Sequence, residues 1–135
     1  MKVLFFTIFL ICNLLFLENL AYSQTDFLTL AKTWQFEKSS IRGTVLNPTQ
    51  IEKQDYLDLR SDFSFNRVDG GTCYQGTWKY DSENKKIKLV YNHIDKVDLF
   101  SIEEVGKGNL ILKVEEDWKI EMTLYLKAVK YPCSI

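Results

Sequence analysis

From residue 33 onward the chain alternates apolar and polar residues with a period of two, the spacing of a half-buried β-strand. Trp34 and Phe36 share a face against Gln35 and Glu37, and Leu57 and Leu59 against Asp58 and Arg60. Phe63 and Phe65 alternate with Ser64 and Asn66, and Arg67 continues their face. Tyr74, Gly76, Trp78 and Tyr80 alternate with Cys73, Gln75, Thr77 and Lys79; Ile87, Leu89 and Tyr91 alternate with Lys88, Val90 and Asn92. Residues 97–105 make a sixth strand of ambiguous facing, because Leu99 and Phe100 are both apolar. Leu110, Leu112 and Val114 mark a seventh, and Ile120, Met122, Leu124, Leu126 and Ala128 an eighth.

Most links between these runs are two to five residues long, among them Ser61-Asp62, Asp69-Gly70-Gly71 and Asp81 to Lys85. Links this short join antiparallel neighbours, since a parallel crossover needs about a dozen residues. The pattern therefore predicts an all-β chain: a single up-and-down antiparallel β-barrel of about eight strands, closed so that one apolar face is buried and no edge is left over. A two-sheet sandwich is the alternative, and it calls for longer crossing connections.

Two stretches break the alternation. Residues 25–31 read as a helical turn or two capped by Thr25 or Asp26, with Phe27, Leu30 and Ala31 placed to plug one barrel end. Residues 39–54 form a connection longer than the others, the length at which lids and binding loops occur. Its Ile41, Val45, Leu46 and Ile51 are apolar, which fits either a lid or a continuation of the first strand.

The N-terminus carries a different signal. Lys2 precedes an almost wholly apolar run, Val3 to Leu17, and Ala21-Tyr22-Ser23 supplies the small residues of a cleavage site. This predicts a secretory signal peptide over residues 1–23, export to the periplasm or the extracellular space, and one domain over residues 24–135. The apolar run, roughly 15 residues, is short of the ~20 a spanning helix needs, so no integral membrane segment is expected after cleavage.

Charge excludes some partners. Formal net charge is −1, with no block of five like charges, which leaves no nucleic-acid footprint. Cys73 and Cys133 remain after cleavage as a disulfide candidate for an exported chain, or as two separate thiols. They have no metal-site spacing, and His93, the single histidine, lies in a turn without a nucleophile or further ligands in any motif. No metal, cofactor or catalytic residue is expected, and hence no enzyme.

Three stretches carry a resemblance: a short helix running into Lys32-Thr33-Trp34; the hairpin Leu57-Asp58-Leu59-Arg60-Ser61-Asp62-Phe63-Ser64-Phe65; and Gly76-Thr77-Trp78-Lys79-Tyr80 before Lys86-Ile87-Lys88-Leu89. Together these resemble the lipocalin-like domains of exported bacterial proteins, over about Asp26 to Ala128. Lys32 replaces the usual first-strand glycine, and Ser64 stands where glycine often follows the turn aspartate. The resemblance implies a barrel that binds a small hydrophobic or amphipathic molecule without catalysis. A filled barrel that uses its loops to contact an unidentified protein of the cell envelope is the alternative.

Alternation places Trp34, Phe36, Phe63, Phe65, Arg67, Tyr74, Trp78, Tyr80, Tyr91 and Met122 inward as candidate ligand-binding residues. These aromatics either line a pocket or fill the barrel. Arg67 either receives an acidic head group or points into water from the strand end. Gly76 fits the taper of a barrel interior and would let a neighbouring ring, Trp34 or Phe36, lie on bare backbone.

Overall fold

The computed structural model describes residues 26–115 and 121–130. A short helix, α1 (residues 26–30), leads into nine strands: β1 (Thr33–Ile41), β2 (Thr44–Leu46), β3 (Tyr56–Leu59), β4 (Ser64–Asp69), β5 (Thr72–Asp81), β6 (Lys86–Tyr91), β7 (Val97–Val105), β8 (Asn109–Val114) and β9 (Met122–Val129). A single 3-10 turn, Glu52–Gln54, precedes β3. Neighbours from β3 to β9 pair antiparallel in sequence order, β1 pairs with β3, and β1 pairs with β9 from Thr33↔Val129 to Ile41↔Met122. That last ladder closes the sheet into an eight-stranded barrel of β1 and β3–β9. Among the described residues no helix is long and apolar enough to cross a membrane.

The ninth strand is β2, and it decides between lid and strand extension in an unexpected way. The first strand does continue to Ile41; it then turns sharply at Arg42 (φ 50°) and Gly43 (φ 82°), and β2 folds back on it. Two consecutive positive φ values are the geometry of a two-residue hairpin turn. The residues of β2 are exposed, so this hairpin stands at the rim of the barrel. Bulges between Phe36 and Lys38 in β1 and between Ile102 and Glu104 in β7 interrupt the strict alternation. Such insertions bend a strand, as closure requires.

One barrel end is shut. Leu30 of α1 is fully buried, Phe27 stacks on Trp78 with ring centroids 5.3 Å apart, and the Trp34 indole N–H donates to the Leu30 carbonyl at 2.9 Å. The Trp78 indole N–H donates to the Arg60 carbonyl at 2.8 Å. Each buried indole thus has its donor satisfied while its rings fill the core. Tyr80 reaches the same end, its hydroxyl donating to Asp26 Oδ2 at 3.1 Å beside the Lys85 ammonium, 2.8 Å from that oxygen.

Phe63 is a correction. It lies outside the inner face, in the β3–β4 turn with φ 68°, half exposed, its ring against Phe27 and Trp78. The turn closes through Phe63 N–H to the Arg60 carbonyl, and Asp62 Oδ1 accepts from both the amide and the hydroxyl of Ser64. The left-handed residue of a three-residue hairpin loop ends such a turn. The glycine-like position is therefore Phe63, not Ser64, and a bulky side chain there is held at a cost of roughly 1–2 kcal/mol by its ring contacts.

Gly76 does receive a ring, but from Phe65, its register partner on β4. A Cβ at Gly76 would meet the Val90 carbonyl oxygen at 2.0 Å and Phe65 Cε1 at 2.7 Å. At the other end of β5, Cys73 is an exposed free cysteine; Cys133 lies outside the described residues, as do residues 1–25.

Candidate functional site

The barrel is filled in its closed half and hollow in the other. Trp34, Trp78, Phe65, Leu30, Leu59, Ile87, Leu89, Leu110 and Leu112 are almost fully buried. Toward the end where β3, β7 and β9 begin, a cavity of about 180 Å³ remains. Its apolar lining includes Phe36, Leu57, Phe100, Leu112, Met122, Leu124 and Leu126; its polar lining includes Glu52, Asp55, Tyr56, Arg67 and Asp69. An engineered cavity of about 150 Å³ accepts benzene, so this one has room for an apolar group of about one ring.

Arg67 is inward and largely buried, but it is already committed. Its Nη1 lies 2.6 Å from both the Tyr91 hydroxyl and Asp98 Oδ2, and its Nη2 lies 3.3 Å from Asp69 Oδ2. The Tyr91 hydroxyl also bonds to Asp98 Oδ2. Burial works against the guanidinium charge, yet Tyr91, Asp69 and Asp98 outweigh it and hold Arg67 more firmly protonated than usual. Burial, reinforced by the Asp98 hydrogen bond, pushes the Tyr91 phenol well above its ordinary value against the pull of Arg67. With Lys96 stacked over the Tyr74 and Tyr91 rings and 3.9 Å from Asp98, the cluster braces β4, β6 and β7. Arg67 thus does not reach into water, and where it lines the cavity Asp69 and Asp98 already pair with it.

Asp55 differs. It is 7% exposed and lines the cavity. Its Oδ2 accepts from the Gly70 amide at 2.9 Å, pinning the β4–β5 turn, whereas its Oδ1 is buried with no hydrogen-bond partner. Burial raises its pKa above the carboxylate value of 3.8; the Gly70 and Gly71 amides pull it down less strongly, and the charges of Asp69 and Glu52 push it further up.

Among the residues placed inward by alternation, Phe36, Arg67 and Met122 line this cavity. Tyr91 touches it through Arg67, and Tyr74 packs edge-on to Tyr91 with centroids 5.4 Å apart. Trp34, Phe65, Trp78 and Tyr80 belong to the packed half. Asp98 and Asp55 are not among them. Asp98 shares a strand face with Phe100, and the ambiguous facing of that strand concealed a buried carboxylate. Asp55 follows the long connection by one residue, and no local pattern marks it.

No protein-family model matches the chain, and no curated protein matches it in sequence. In structure the chain is similar to a lipocalin-like protein from Bacteroides uniformis, with a TM-score of 0.56 and 13% identity, covering 75% of this chain and 99% of that one. Closed antiparallel barrel, plugging helix and that likeness define a lipocalin-like fold.

Proposed function

We propose that this protein binds a small apolar or amphipathic molecule in the open half of its barrel and carries out no chemistry on it. The cavity carries this reading. An eight-stranded barrel is filled by side chains or left room for one ligand, and here the packing stops halfway, leaving a largely apolar chamber with polar residues in its lining. Fold likeness supports the same class of function by analogy alone. His93, exposed in its turn, stands apart from the chamber, which is the reason for proposing binding rather than catalysis. Export through residues 1–23 belongs to the same proposal and rests on their sequence pattern.

A cavity-filling variant tests the reading. Leu124→Trp places an indole in the chamber. Small apolar molecules recovered with the parent protein from its host, identified by mass spectrometry, are expected to be lost from the variant while its circular dichroism is retained. Equal recovery from parent and variant would place binding elsewhere. Val45, Leu46 and Ile51, apolar and exposed near the mouth, favour a loop-mediated protein contact as the second reading.

A further inference from the structure

We propose that the bound molecule carries an uncharged hydrogen-bond acceptor, a carbonyl group, received by the Arg67 guanidinium, on an apolar body of about one ring. This rests on the binding reading above and specifies its chemistry.

The first observation is a surplus of donors. A guanidinium carries five N–H groups in a fixed fork, and the fold employs only part of that set. Nη1 meets the Tyr91 hydroxyl and Asp98 Oδ2, each at 2.6 Å, and Nη2 lies 3.3 Å from Asp69 Oδ2. The Nε–H and the second Nη2 hydrogen find no acceptor among the described residues. These groups are not sealed away, because Asp55 Oδ1 is the one buried, unpartnered side-chain nitrogen or oxygen among those residues. Arg67 lines the cavity beside Phe100, its Cζ 5.8 Å from the centre of that ring. Spare donors on a largely buried side chain therefore adjoin the chamber.

The second observation is that the charge, unlike the donors, is used up. Asp98 and Asp69 pair with the guanidinium, and Glu52 and Asp55 also line the cavity. A carboxylate head would enter surroundings that already carry more negative than positive charge. An ammonium head would bring no acceptor for the spare N–H groups. A carbonyl oxygen takes them up without adding charge, and a hydrogen bond to an ionised donor is about twice as strong as one between neutral groups.

Three probes of nearly equal size differ only in what they offer Arg67: acetophenone a carbonyl, cumene no acceptor, benzoate a carboxylate. Affinities are measured by ¹H–¹⁵N NMR titration near neutral pH, and acetophenone carries ¹³C at its carbonyl. Acetophenone is expected to bind more tightly than benzoate. On saturation its carbonyl resonance should stay at or downfield of its position in water, where a carbonyl in an apolar site moves upfield. Arg67→Lys keeps the cation and three donors, enough for Tyr91, Asp98 and Asp69 but with none to spare. It should weaken acetophenone about tenfold or more and leave cumene within about twofold. The carbonyl resonance is read on the parent protein, so it decides even where the lysine variant does not fold. An upfield carbonyl, benzoate bound more tightly than acetophenone, or equal losses for acetophenone and cumene in the variant would overturn the acceptor assignment while the binding reading stands. If neither acetophenone nor cumene binds, both fall.

Discussion

At the scale of single residues, the chain keeps one carboxylate in a position that its own fold leaves half satisfied. A carboxyl whose folded-state pKa lies above the ordinary value of 3.8 holds its proton more tightly folded than unfolded, so stability is lost as pH rises through that interval. Asp55→Asn removes the titration but retains an acceptor for Gly70. In thermal or chemical unfolding without ligand, the stability of the variant relative to the parent is expected to rise as pH rises through the raised Asp55 pKa, because Asn does not titrate. That relative gain should shrink as pH falls toward the carboxylate range. A variant less stable than the parent at neutral pH would mean that Oδ1 holds the fold together. Nothing in the sequence distinguishes Asp55 from the other aspartates, because burial of one carboxylate oxygen is settled by the distant β4–β5 turn packing over it. Arg67 was legible as an inward cation; its neutralisation was not, since Asp98 comes from a strand 31 residues away.

At the scale of elements, period-two alternation marks the barrel strands, because each buries one face, and only residues 97–105, with Leu99 beside Phe100, leave the facing ambiguous. It fails where a bulge or turn resets the phase. Beyond Phe36 and Ile102 the bulges break the count, and at Phe63 a left-handed turn takes a ring off the inner face. The rim hairpin of β2 was half legible: Ile41 to Leu46 is apolar enough for a strand, but Arg42-Gly43 does the turning. Gly76 shows how tightly neighbouring strands are fitted. It lets the Phe65 ring from β4 and the Val90 carbonyl from β6 approach β5 from both sides. Gly76→Ala drives a methyl into a backbone carbonyl that cannot rotate away, so denaturant unfolding should show a loss of about 1–3 kcal/mol. An unchanged midpoint would show that the strands are free to spread there.

At the scale of the whole molecule, the barrel divides its labour along its axis. The helix-plugged half, with two fully buried tryptophans, supplies the packing; the open half gives up packing for a chamber of about 180 Å³ lined in part by acidic residues. That division predicts where a ligand sits. Intermolecular nuclear Overhauser effects between benzyl alcohol and the protein's methyl groups test it most directly, because they report position rather than affinity. The expected contacts are to Leu57, Leu112, Met122, Leu124 and Leu126 around the chamber, with none to Leu30 or Ile87 in the packed half. Contacts confined to Val45, Leu46, Ile51 or the outer strand faces would contradict a ligand site inside the barrel.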